Sequence, residues 1–214
     1  MNLDLLQQSW LDLLVRLEAD LPLAEAVIKD LIATYSTSDR HYHNLHHVRY
    51  LLELAKRVRH LTECHSAIEL AAWFHDYIYD SCAKNNELKS AIYAEQILNR
   101  LNIETDIVES VKQMILSTKQ HQPLENSIDN LIFLDLDLSI LGTSSAKYLE
   151  YSAAIRQEYC WLRDREYWQA RKQILTVFLS RARIYYTDYF FHRLEQQARV
   201  NVANEIEFLA SRLS

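Results

Sequence analysis

Apolar residues recur every three to four positions along most of the chain, the spacing of one face of an α-helix. The pattern predicts helices over roughly Leu5–Leu17 and Leu23–Tyr35, broken by the polar stretch Ser36–Arg40. Asn44 suits an N-cap and predicts a helix from about Leu45 to Val58. From Ala67 to about Tyr79 the chain reads as a strongly apolar helix, and further helices follow over about Glu87–Leu101 and Glu104–Lys119. Pro123 interrupts the pattern, and Gly142 with Thr143–Ser145 marks another break. Beyond it lie helical stretches of about Ala146–Tyr159, Arg165–Arg183 and Asp188–Leu213. The last two are rich in Arg, Gln and Glu on one face, which predicts a solvated surface.

One stretch, Leu134–Ile140, alternates with period two, the mark of a half-buried strand. No second strand candidate exists to pair with it, so it is read as helical. Composition agrees. One glycine and two prolines in 214 residues, against about 7% and 5% in average proteins, leave too few turn residues for hairpins. The prediction is an all-α fold: one helical domain over 1–214, with the helices from about 146 packing on its core.

The same scarcity excludes chemistry. Walker-type loops and dinucleotide fingerprints need several glycines close together, and Gly142 stands alone. Any phosphate must be held by side chains, metal or helix N-termini. A net charge of -6 argues against nucleic acid and anionic membranes as partners, though a small anionic substrate drawn to a bound metal stays compatible with it. Cys64, Cys82 and Cys160 are odd in number and form no CxxC pair, which predicts reduced thiols in a cytoplasmic protein. The start MNLDLLQQSW is acidic and amphipathic and does not read as a signal peptide, and no apolar run approaches the ~20 residues of a membrane span.

The pair His75-Asp76, within the apolar run AAWFHDYIYD, is the strongest chemical feature. A histidine and an aspartate on a buried helix are costly to desolvate without a partner, and a first-row divalent cation suits imidazole and carboxylate together. Adjacent residues on a helix are separated by ~100°, so both can reach an ion beside it. Asp80, one turn on from Asp76, reads equally as support for the site or as a cap for the next turn. Upstream, RHYHNLHHV holds His41, His43, His46 and His47. With Asn44 as cap, His47 shares a stripe with Leu51 and Leu54 and points inward, whereas His46 lines up with Tyr50 and Glu53 and points to solvent. Downstream, Asp135 and Asp137 lie ~200° apart on a helix, so only one of them faces a given ion.

These residues together resemble the HD superfamily of metal-dependent phosphohydrolases, and more narrowly its bacterial family of predicted metal-dependent HD phosphohydrolases. The resemblance runs through Arg40–His47, Trp73–Asp76, Asn86-Glu87 with Ser90-Ala91, and Phe133–Leu138 to Gly142. It continues through Ile155-Arg156, Glu158-Tyr159, Ala198-Arg199 and Asn201. It implies an HD-type helical fold and metal ligation by His47, His75, Asp76 and Asp137, with Asp135 in support. The ion it implies is divalent: Mn, Mg, Fe, Co, Ni or Zn. The implied activity is cleavage of a phosphate ester of a small molecule, foremost a nucleotide, by metal-activated water. The alternative is a metal-containing, nucleotide-binding regulatory module without turnover.

Around the ligands, Arg40 is expected to clamp a phosphate as a bidentate donor, and His43 to touch substrate. His121, just beyond the helix ending at Lys119, is expected to contact substrate or assist proton transfer. Glu87, at a helix start, is a candidate base. Some HD nucleotidases carry a glutamate three residues beyond the dyad's aspartate; this chain carries Tyr79 there, so the resemblance does not name the proton-transfer residue. The expected partner is a small phosphorylated substrate, and the sequence leaves assembly into a homo-oligomer open.

Overall fold

The computed structural model describes residues 3–214; Met1 and Asn2, the first positions of the expected domain, lie outside the described residues. Those residues are all-α, with ten α-helices and no strand among them. The chain divides into two compact units, Met1–Leu136 and Asp137–Ser214. The division falls inside a helix, where the sequence shows no linker.

The first unit holds α1 (Leu3–Arg16), α2 (Leu21–Tyr35), α3 (Leu45–Val58), α4 (His65–Phe74), α5 (Asn86–Arg100), α6 (Thr105–Thr118) and most of α7 (Ile128–Leu138). Its centre is α4, where Ala67, Ile68 and Leu70 through Phe74 are all 0% exposed. A helix apolar on every side is stable only when surrounded, and α3, α5 and α6 pack against it. Trp10 of α1 presents edges to Trp73 and Phe74 at 5.7 and 6.0 Å. Its Nε1 donates to the Ala24 carbonyl of α2 at 2.9 Å, so the indole is buried with its polar atom satisfied.

Local signals explain two helix starts. Asp20 caps α2 by accepting from Leu23 N, with Pro22 in the first turn, and Asn44 caps α3 by accepting from His46 N. Helix α4 is different. Cys64 supplies no side-chain cap; the carboxylate of Asp129, from α7, accepts from Glu63 N at 2.8 Å and Cys64 N at 2.6 Å.

The far end of α4 corrects the expected boundary at Tyr79. The helix stops at Phe74, His75 is its C-cap, and Asp76 lies in the turn beyond. No glycine or proline marks the stop. It is made by tertiary contacts: Tyr35 Oη donates to Trp73 O and Arg40 donates to Asp76 O and Tyr77 O. These side chains satisfy the carbonyls that a helix end leaves open. The alternating stretch from Leu134 is helical, as expected, because Ile132 through Leu136 are buried on both of the supposed faces. Its end, Ser139–Gly142, tightens into a 3-10 turn.

The second unit holds that turn with α8 (Ser145–Glu158), α9 (Asp164–Ser180) and α10 (Asp188–Leu213). Helix α10 packs along α9 and over the 3-10 turn. At Gly142 a Cβ atom would meet Leu194 Cβ at 2.5 Å and Leu194 O at 2.8 Å, so close helix approach requires the chain's single glycine. Asn201 Nδ2 donates to Leu141 O and Thr143 O, each at 2.8 Å, and holds the turn against α10.

The charged faces of α9 and α10 are not simply solvated, which corrects that expectation. Arg171, Glu195 and Glu205 are buried. Arg171 Nε and Nη2 donate to Glu205 Oε1 and Oε2 at 2.9 and 3.2 Å, and Tyr148 and Ser152 donate to the same carboxylate. Burial pushes the Glu205 carboxyl up, but the Arg171 guanidinium and the two hydroxyls outweigh it and hold the carboxyl below its usual range. Glu195 accepts from Ile184 N, Tyr185 N and Arg199 Nε. A charge paired inside a unit and a charge in water look alike in a residue pattern. Among the described residues, no helix is long and apolar enough to cross a membrane.

Candidate metal centre

The polar loop before α3 is fixed by its own side chains. Asn44 Nδ2 donates to His41 O at 2.9 Å while its Oδ1 accepts from His46 N. That cap sets the phase of α3. Leu45, His47, Val48, Leu51 and Leu52 fall on the buried side, and His46 is exposed. His47 is therefore inward, 3% exposed, as the helical stripe predicts.

His75 comes from the end of α4, and its backbone N donates to Ala71 O. Its Nδ1 lies 3.2 Å from Ala72 O. A carbonyl only accepts, so Nδ1 carries the proton and Nε2 of the neutral ring presents a lone pair. That Nε2 lies 3.1 Å from His47 Nε2 and 2.8 Å from Asp76 Oδ2. Asp76 Oδ2 is in turn 3.7 Å from His47 Nε2. Electron-rich atoms thus meet, with the Phe133 ring edge-on to His75 at 5.7 Å. Either a proton or a cation must sit among them.

The second carboxylate comes from the last turn of α7. One ligand atom each from His47, His75 and Asp137 lies within 4.8 Å of the others, so this group can hold a metal ion. Asp135 is fully buried and is not part of the group. Two imidazoles with one or two carboxylates fit borderline-hard first-row divalent ions, and the donor set does not name one of them.

The Asp76 carboxyl is pulled two ways. Burial raises it, while the His75 and His43 imidazoles, the His75 contact and the His47 ring, acting whenever those rings carry a second proton, outweigh burial and hold it well below its usual range. It is an anion in a nest of imidazoles.

The remaining expected residues are placed unequally. His43 stands beside the site, stacked on Tyr79 at 4.2 Å and within electrostatic reach of Asp76. Asp80, read either way from sequence, caps the next turn: its Oδ1 accepts from Cys82 N at 2.8 Å. Glu87 is half-buried in the first turn of α5 and His121 takes a left-handed φ of 46° after α6. Neither joins the ligand group. Arg40, expected as a phosphate clamp, is 8% exposed and donates to three main-chain carbonyls, those of His43, Asp76 and Tyr77.

Several supporting residues were not singled out from sequence. Tyr42 lies 4.8 Å from the His47 ring. Tyr77 stacks on Tyr93 at 3.9 Å, and both phenols donate to Asp30 Oδ2. Ser90 Oγ accepts from Ile78 N and donates to Ile78 O, and Asn86 donates to Asp80 O. Together these hold the irregular segment after the dyad. Asn86 and Ser90 stand among the segments that carry the HD resemblance, which was the one available signal for them. The chain matches no protein-family model, no curated protein and no solved structure.

Proposed function

We propose that this chain is a metal-dependent phosphohydrolase that cleaves a phosphate ester of a small molecule, foremost a nucleotide. The observation that carries the reading is the convergence of His47, His75 and Asp137 from three helical segments, with Asp76 Oδ2 against both imidazoles. The sequence resemblance to HD phosphohydrolases supports the same reading. In it His47, His75, Asp76 and Asp137 hold the ion. A bound divalent cation supplies Lewis acidity toward a phosphoryl oxygen and lowers the pKa of water. The chain's own residues do the rest. Asp76, kept ionised by the surrounding imidazoles, orients the attacking water through its carboxylate. Ala72 O fixes the His75 ring, and His43 lines the approach beside Asp76.

The test is phosphate release from a panel of nucleotides and sugar phosphates, with the protein loaded in turn with Mn, Mg, Fe, Co, Ni and Zn. At least one pair of metal and substrate should turn over. Asp76→Ala should remove turnover while leaving helix content in place, since the fold rests on apolar stripes. Metal-replete protein that turns over nothing on the panel overturns the enzyme reading. Tight binding of one panel member without turnover would replace it with the regulatory alternative.

A further inference from the structure

We infer that Arg40 is a positioning residue of the metal centre, a clasp that holds the His75-Asp76 turn against the loop leading into His47; this rests on the metal reading above. Helix α4 ends at Phe74, and carbonyls at and beyond such an end lack intrahelical donors. Trp73 O is taken by Tyr35 Oη at 2.9 Å. Asp76 O and Tyr77 O are both taken by Arg40, from Nη1 at 2.6 Å and Nη2 at 2.7 Å. A guanidinium is a rigid planar fork, and two adjacent carbonyls match its spacing. Nη1 also donates to His43 O at 3.1 Å. The same side chain therefore grips the backbone on both sides: the dyad turn, and the loop four residues before His47.

The surroundings favour this use of the charge. Arg40 lies over the Tyr35 ring at 4.9 Å and near the Tyr79 ring at 5.6 Å, so the cation is sandwiched among aromatics rather than presented to solvent. It also sits at the negative end of α4, where a positive charge is stabilised. The segment it fixes has left the α-helix, with a turn bond from Tyr77 N to Phe74 O at 3.1 Å, and it bears Asp76. Ligands must be held close to their productive geometry for an ion to bind tightly, and groups that orient ligands carry much of a site's affinity.

Cobalt(II) is the probe, because its visible spectrum reports coordination geometry as well as occupancy. In the full chain, Arg40→Gln should weaken cobalt binding by about 10–100-fold, the usual cost of losing an orienting partner, and should change the spectrum of the bound ion. Arg40→Lys keeps the charge without the fork and should bind with intermediate affinity. If Arg40→Gln does not fold, Arg40→Lys decides the matter by the same two readouts. A variant that melts lower without metal, yet binds cobalt with wild-type affinity and spectrum, overturns the inference and leaves Arg40 a plain structural residue. Wild-type cobalt binding with weakened affinity for inorganic phosphate overturns it in favour of a phosphate clamp. Wild-type protein that binds no cobalt, manganese or zinc overturns the metal reading itself, a result distinct from either.

Discussion

At the scale of single residues, burial decides which of several similar side chains does chemistry. His46 and His47 are neighbours in sequence, but the cap at Asn44 turns one outward and the other into the cluster. Away from the site, His65 shows the same control acting on charge. Burial first, then the Arg59 and Arg16 charges, lower its pKa from 6.5 to about 4. A depressed histidine means that the unfolded chain binds more protons between those values, so its contribution is full above about 6.5 and is lost as pH falls toward 4. Glu69, 3.9 Å away, has a carboxyl raised by burial against the pull of Arg16, which offsets part of that loss at the acid end. Urea unfolding at pH 7 and pH 4.5 should show wild type losing about 2 kcal/mol more than His65→Gln. Equal losses in the two proteins would mean that His65 titrates as it does in water.

At the scale of elements, the helices differ in who caps them. Helices α2 and α3 carry their own N-caps, Asp20 and Asn44. Helix α4, the most buried of the first unit, borrows Asp129 from more than sixty residues away. Asp129 is 6% exposed, and removing it leaves two part-buried amide donors without their acceptor. Asp129→Ala should destabilise the protein by about 2–3 kcal/mol in chemical denaturation. Asp129→Asn, which keeps an acceptor, should cost clearly less. A cost for Asp129→Ala no larger than that of an exposed substitution would show that α4 needs no cap.

At the scale of the whole molecule, a bound ion and the folded state reinforce each other. The candidate ligands come from α3, the turn after α4 and the end of α7, and in the unfolded chain they are far apart. Ligand that binds only the native state at a hundred times its Kd adds about 2.7 kcal/mol, which for a chain of this size raises Tm by roughly 5–10 °C. Protein stripped of metal should melt lower by that amount and recover on addition of the preferred ion. Asp137→Asn should melt like the stripped wild type and respond weakly to metal. Identical melting of stripped and metal-supplemented wild type would argue against a site of useful affinity.

Local rules determined much of this protein in advance. Scarce glycine and proline with a helical apolar spacing required an all-α chain, and the span of α3, its Asn44 cap and the inward face of His47 follow from positions a few residues apart. Those interactions are short-range, so the sequence carries them directly. Local rules could not stop α4 at Phe74, because the donors that end it, Tyr35 and Arg40, arrive from a preceding helix and loop. For the same reason the dyad was read along a continuous helix when Asp76 in fact lies in a turn. Arg40 reads from sequence as a phosphate clamp because its carbonyl partners are distant in sequence, and the Arg171–Glu205 pair reads as solvated because its two members lie on different helices. Whether a polar side chain faces water, an ion or a backbone carbonyl depends on what packs against it. Only the tertiary structure brings those partners together.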